Sequence, residues 1–320
     1  MVRVGALLLC ALCSTAALRV PAVGRRELLR AATVGGLIDS LPAYADVPLS
    51  RRPVLVLGAN GGTGLECVKY CLAQKRPVIA ATRTGEFKGD ASNPLLSVAK
   101  GDVTSPDSLK ALIQPDALSG VIYAASASRK DDAKKTSGTK QVDRDGVVTC
   151  SQLCIAANVP RLVLVSSGGV SKPTSAVYLF LNVAASGIMD AKISGENQMR
   201  RLYADPAVAS RGVGYTIVRP GGLTNEAGLG VGAVELNQGD DKSGRIARAD
   251  VAGICIESLA SPAAFDTTFE CYYSDTAKGL GEVFASNAKG STDPTSYSSG
   301  KERRATTWPA LFEGLTRDRA

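Results

Sequence analysis

Residues 53–64 read PVLVLGANGGTG, and an apolar-periodic segment over residues 65–74 follows them. The β-branched run PVLVL suits a short buried strand, and it stops at a glycine. The order is strand, turn, helix. Outward from this unit the same alternation recurs, with strands expected over residues 77–82, 96–100, 120–124, 161–165, 214–218 and 267–272. Helices are expected over residues 105–113, 143–157, 187–203 and 249–259. Strands and helices alternating at this spacing imply an α/β fold, a doubly wound parallel sheet with right-handed crossovers and helices on both faces. The run over residues 267–272 is expected to close the sheet. Residues 274–307, rich in Gly, Ser and Thr, read as surface loop, and WPALFEGL over residues 308–315 as a short terminal helix docking its aromatics on the core.

The turn GANGGTG places glycine at its first, fourth and seventh positions, between a strand and a helix. The backbone must turn tightly at Gly58, admit a pyrophosphate near Gly61 without a Cβ in the way, and pack helix on strand at Gly64, while helix N-terminal amides face the phosphates. Gly58, Asn60, Gly61, Gly62, Thr63 and Gly64 are therefore candidate dinucleotide-binding residues; the bland alternative is a glycine-rich turn with no ligand. The second strand ends at Thr82-Arg83-Thr84. An acid there would accept from a ribose 2′-hydroxyl and repel a 2′-phosphate, whereas Arg83 offers that phosphate a planar cation, which points to NADP(H). The alternative is a solvated surface arginine. After the third strand, Asp102 can accept from an adenine amino group and Val103 can pack on its ring. Ala124 and Ala125, with Ser126, supply small residues beside the cofactor at the end of the fourth strand.

Across 320 residues, 45% are hydrophobic and 21% charged, enough for a large core, and no internal repeat breaks up the chain. One main domain is the default. There is no histidine, which excludes a Ser-His-Asp triad, a Cys-His dyad and His-ligated zinc. Any acid or base must come from Tyr, Lys, Ser, Cys, Asp or Glu. Residues 1–18 carry Arg3 and then an apolar run too short to span a bilayer comfortably, as in a signal peptide. In residues 19–45, Arg25-Arg26 precede a mildly apolar stretch and the small-x-small sequence Ala43-Tyr44-Ala45, which resembles a twin-arginine export signal. Two export signals in series fit entry by the secretory route into a plastid and then into its thylakoid lumen. An ordinary signal peptide for the secretory pathway, followed by a linker with an accidental arginine pair, is the alternative. Residues 1–45 hold +3 of the formal +7 charge and leave +4 on the body. That mild excess, without a basic run interleaved with aromatics, argues against nucleic acid, and no run in the body reaches membrane-spanning length.

The segments GANGGTG, ATR, GDVTSPDSL, VDRDGV, LVLVSSGGV, YTIVRPGGLTN and RADVA, in this order from Gly58 to Ala252, resemble the atypical short-chain dehydrogenase/reductases, specifically the NAD(P)-binding, NmrA-like group of plastids and cyanobacteria. The resemblance implies a single Rossmann-type domain over residues 46–273, with NADP(H) across the strand ends and a tail over residues 274–320. It also implies that Pro220, Gly221, Gly222 and Leu223 pass near the nicotinamide. Active members of the group carry a Ser and a Tyr-x-x-x-Lys pair, in which Tyr moves the substrate proton and Lys lowers its pKa and holds the ribose. By that pattern Ser167, at the end of the fifth strand, and Lys192 are candidate catalytic residues, with Lys192 also binding cofactor. Four residues before Lys192, however, stands Ile188, and the nearest tyrosine, Tyr178, has Asn182 four residues later. Either Tyr178 reaches in from a loop or the usual acid is missing.

Cys67/Cys71 and Cys150/Cys154 sit four apart on expected helices. Those helices belong on opposite faces of the sheet, so the pairs should not converge on a metal, and buried apolar cysteine is the better reading. Two functions follow. One is an NADP(H)-binding protein with weak catalysis, a redox-sensing or assembly role and a protein partner in the plastid. The other is an active NADPH-dependent reductase of a small carbonyl, quinone or enone.

Overall fold

The computed structural model describes residues 47–127, 138–283 and 298–318. Both expected export segments lie outside the described residues. The strands are β1 (Val54–Leu57), β2 (Val78–Thr82), β3 (Leu96–Lys100), β4 (Gly120–Tyr123), β5 (Arg161–Val165), β6 (Gly214–Pro220), β7 (Gly222–Thr224), β8 (Val234–Asn237), β9 (Lys242–Ser243), β10 (Arg245–Ala247), β11 (Thr267–Tyr273) and β12 (Lys278–Gly279). Eight of them form the main sheet, in the order β3-β2-β1-β4-β5-β6-β11-β8. Every pairing from β3 to β11 is parallel.

The apolar run of β1 shows why this sheet needs helices on both faces. Val54 and Val56 enter one core, Leu55 and Leu57 the other, and all four are fully buried. The first core is closed by α1 (Gly62–Ala73), α7 (Arg248–Ser258) and α8 (Trp308–Phe312). The second is closed by α2 (Pro106–Leu112), α3 (Gly146–Ala156) and α5 (Ile188–Tyr203). Local chemistry fixes the ends: Ser105 caps α2 by accepting from the Ser108 amide at 3.3 Å, with Pro106 at the first helical position. Cys67 and Cys71 lie in the first core and Cys150 and Cys154 in the second, all buried and free, so the pairs do face opposite sides.

Three sequence expectations need correction. The sheet does not close at residues 267–272, because β8 adds an antiparallel edge beyond β11. That strand reads Val-Glu-Leu-Asn, and its Glu235 and Asn237 are as buried as its Val and Leu. Glu235 is paired with Lys242 at 2.9 Å and with Arg304, so a polar residue sits where a core pattern demands an apolar one. Second, Tyr178 is on a helix, α4 (Ala176–Ala184), not a loop; Ser175 caps it by accepting from the Tyr178 amide at 3.1 Å. A short α6 (Pro206–Ala209) also follows α5. Third, part of the expected surface loop after residue 273 is built into the body. β12 pairs with β9, Ala277 and Leu280 are buried, and Arg303 exchanges backbone hydrogen bonds with Leu236 of β8 at 2.8 and 3.0 Å. The terminal helix docks as expected, with Phe312 buried against Phe269 at 6.0 Å between ring centroids.

No single described helix is long and apolar enough to cross a membrane; α4 and α5 satisfy length and composition only as a pair bent by 105°.

Candidate cofactor and active site

Strand order reverses between β1 and β4, and in open α/β sheets ligands bind in the crevice beyond the strand ends at such a point. The glycine turn lies there. Gly58 has φ +79°, and a Cβ on it would lie 2.8 Å from the backbone of Ala125, so the turn and the end of β4 are in contact. A Cβ on Gly64 would lie 2.2 Å from the Gly58 carbonyl oxygen, which requires glycine for helix-on-strand packing. Gly61 differs: its nearest obstruction is the Gly58 carbonyl at 3.1 Å, and its φ is −74°. It caps α1 without a side-chain hydrogen bond, and Gly61 and Gly62 are both exposed. The first amides of α1 therefore carry no side-chain cap, and residues 61 and 62 add no side chain of their own, the form a diphosphate needs; the Arg248 side chain lies beside Gly62.

The remaining nucleotide candidates surround this cradle in different ways. Asn60 spends both ends of its amide within the chain, donating to the Glu86 carbonyl at 2.7 Å and accepting from the Lys88 amide at 2.9 Å. It thereby ties the glycine turn to the loop that begins at exposed Arg83. Thr63 is buried. The Asp102 carboxylate accepts from the amide and hydroxyl of Thr104 at 2.9 and 2.7 Å, beside buried Val103. Ala124 and Ala125 are half-buried next to the turn. In the segment after β6, a Cβ on Gly221 would meet the Gly244 carbonyl at 2.3 Å, and the Gly222 amide donates to that same oxygen at 2.8 Å. These two glycines thus serve the β7–β10 pairing, with Pro220 and Leu223 on either side.

The catalytic candidates are not assembled as a unit. Lys192 Nζ forms an ion pair with Asp143 Oδ1 at 2.8 Å, both side chains nearly inaccessible. The same carboxylate accepts from the Ser126 hydroxyl at 2.8 Å and the Ala127 amide at 3.0 Å, so Asp143 joins α5 to the end of β4. Its position follows from a π-helical turn, Gln141–Asp145, ahead of α3, pinned where the Tyr123 hydroxyl donates to the Val142 carbonyl at 2.5 Å. The Tyr178 hydroxyl donates to Asp190 Oδ1. Asp190 and Lys192 are two residues apart on α5 and face in different directions. Burial, and then the Asp190 carboxylate, push the Tyr178 phenol up to about 12. Ser167 donates to the Gly168 carbonyl at 3.2 Å, while its neighbour Ser166 is buried and donates to Glu196 at 2.5 Å. Behind Ser166, Glu196 is fully buried. Burial alone would raise its carboxyl, but the Arg219 guanidinium at 2.6 Å holds it below the usual range.

A family model described as NAD(P)H-binding matches residues 58–262. An uncharacterized chloroplastic protein of Arabidopsis thaliana is 31% identical over 226 residues, covering 67% of this chain and 74% of the relative. Sanguinarine reductase of Eschscholzia californica is 31% identical over 150 residues, 45% of this chain and 49% of that enzyme. Among solved structures, a short-chain dehydrogenase/reductase of Veillonella parvula in complex with NADP superposes with a TM-score of 0.53 at 15% identity, covering 70% of this chain and 96% of the other. The chain belongs to the NAD(P)H-binding family. Its Rossmann fold and this family match agree with the resemblance to the atypical short-chain dehydrogenase/reductases.

For a member of this family, the geometry adds two residues to those expected from the sequence, Asp143 and Arg248. Asp143, in VDRDGV, gathers Lys192 and Ser126; with Arg144 and Asp145 beside it, nothing local distinguishes it from a solvated charge. Arg248, in RADVA, lies against Gly62, which nothing within its own segment announces.

Proposed function

We propose that this protein holds NADP(H) and turns it over weakly, in a redox-sensing or assembly role within a plastid. The observation that carries the reading is the separation of Tyr178, bound to Asp190, from Lys192, bound to Asp143. A tyrosine whose phenol is held high and already donates to a carboxylate on another face of α5 is poorly placed to pass a proton beside Lys192. The open amides of α1 support binding of the dinucleotide, Arg83 supports preference for the 2′-phosphorylated form, and Lys192 is the residue placed to meet the ribose. Chloroplastic relatives support the plastid, and the Arg25-Arg26 pair supports onward passage to the thylakoid lumen. Twin-arginine export carries folded cargo, and a protein leaving its NADPH supply behind is better suited to retaining a nucleotide than to consuming it. A protein partner in the plastid would then read its loaded state.

The test is a titration of the purified protein with NADPH, followed by a panel of quinones and aldehydes while the absorbance of the reduced cofactor is recorded. Tight binding with slow or no steady-state turnover, unchanged in Tyr178→Phe, is expected. Robust turnover abolished by Tyr178→Phe would reject the reading. Lysine at both 25 and 26 should block thylakoid entry in an import assay, and unaffected entry would remove the lumenal assignment.

A second reading, an active reductase of a small carbonyl, quinone or enone, is supported by the sanguinarine reductase likeness and by the Ser126–Asp143–Lys192 cluster. Bound reduced nicotinamide supplies a hydride in such chemistry. The Ser126 hydroxyl, hydrogen-bonded to Asp143 at an exposed strand end, would then hold the proton for the substrate oxygen.

A further inference from the structure

Arg248 is the first residue of α7, and its side chain lies along the first residue of α1. A Cβ built on Gly62 would stand 2.6 Å from Arg248 Nε and 2.7 Å from its Cδ. The Arg248 side chain therefore lies directly against Gly62. Arg248 Nη1 donates to Asn225 Oδ1 at 2.6 Å, which holds the guanidinium across the turn. Asp250, two residues further on, does not neutralise it. That carboxylate accepts from the amides of Leu229 and Gly230 at 2.7 and 3.1 Å and from the Tyr273 hydroxyl at 2.5 Å, fixing the loop that follows Asn225.

The electrostatics of this placement run against stability. A cation in the first turn of a helix meets the positive end of that helix's dipole, and Arg248 does so twice, within α7 and against α1. Among the described residues no carboxylate lies within ion-pair distance of it. An arginine with spare donors beside two amide-bearing helix ends offers a favourable place for an anion between them. Arg83 stands in a different place, past the end of β2, where the adenosine ribose would lie.

We propose that Arg248 is a diphosphate-binding residue of the NAD(P)H site, positioned over Gly62 by Asn225. This rests on the dinucleotide occupying the glycine turn. It divides the work between two arginines: Arg83 reads the 2′-phosphate found only in NADP(H), while Arg248 reads the diphosphate common to both cofactors.

The dissociation constants of NADPH and NADH, measured by titration calorimetry on the full chain and on Arg248→Gln and Arg83→Gln, separate the roles. Arg248→Gln should weaken both cofactors by the same factor, about ten- to a hundredfold, leaving their ratio unchanged, and the loss should shrink at high ionic strength. Arg83→Gln should weaken NADPH alone. Asn225→Ala should weaken both by a smaller factor, since the guanidinium then lacks its support. Thermal melts, with Arg248→Lys as a second variant that keeps the charge and loses the planar fork, establish that the fold is intact; Arg248→Lys should recover part of the affinity. Wild-type affinity for both cofactors in folded Arg248→Gln would overturn the proposal, as would a loss confined to NADPH. If the wild-type chain bound neither cofactor, the dinucleotide reading itself would fall and the proposal with it.

Discussion

At the β1–α1 turn, the chain leaves its helix amides uncapped and clears side chains from residues 58, 61, 62 and 64. Around α5 the candidate polar side chains have partners inside the protein: Lys192 with Asp143, Tyr178 with Asp190, and Ser167 with the Gly168 carbonyl, beside Ser166 on Glu196. One end of the site is prepared for something outside the chain, and the other is satisfied by the chain itself. The difference teaches that binding and chemistry are separable here. Unmet hydrogen-bonding groups at a helix end favour a ligand, whereas charges already paired in a buried network resist being recruited for a reaction.

The contrast breaks first at the glycines. Gly64→Ala puts a Cβ on the Gly58 carbonyl, and a loss of stability on the order of 3 kcal/mol is expected in a denaturant melt. Gly61→Val, three residues earlier, should keep most of the stability and lose at least about a hundredfold in nucleotide affinity. If Gly61→Val bound NADPH as wild type does, the turn would be structural only. Next in size is Lys192→Ala. It leaves Asp143 without its counter-charge in a buried site, so a drop of about 3 kcal/mol in stability should accompany weaker nucleotide binding. A variant with undiminished affinity would mean that Lys192 serves Asp143 alone.

A smaller effect sharpens the contrast from the buried side. Burial, and then the Asp240 carboxylate, raise Glu270 from 4.5 to about 8 in the folded protein. The folded state then holds a proton that the unfolded state has released, so the contribution of this group is complete below about pH 4.5 and is lost as pH rises through about 8. Between about pH 6 and 9, Glu270→Gln should show a fall in melting temperature shallower than that of the wild type by about 3 °C. Parallel curves would place the proton on another of the carboxylates around Arg219, Glu196 or Asp240.

How much of this could be read from the chain follows from the range of each signal. The β1–α1 unit was legible because strand pattern, glycine spacing and helix period all lie within about twenty residues, and because β1 is apolar at every position. The partition of the cysteine pairs followed from topology alone. By contrast, β8 was hidden because Glu235 and Asn237 are buried by partners far along the chain. The α4 segment AVYLFLNVA is apolar almost throughout, so it carries too little polar contrast to reveal a helical period. At the site, the glycine spacing marks Asn60 as a ligand residue, yet both ends of its amide go to the segment at residues 86–88. The roles of Asp143 and Arg248 depend on contacts with α5 and α1 that no local spacing encodes.

The meeting of Arg303 with Leu236 has a bearing on solubility. As the last strand of the sheet, β8 offers a row of backbone groups that could pair with the same strand of another copy. The returning tail takes the Leu236 amide and carbonyl, and it sets Lys301, Arg303 and Arg304 along that margin. A chain cut after residue 283 would lose this cover, together with the α8 side chains Leu311 and Phe312 that close the first core, and would gain an open edge.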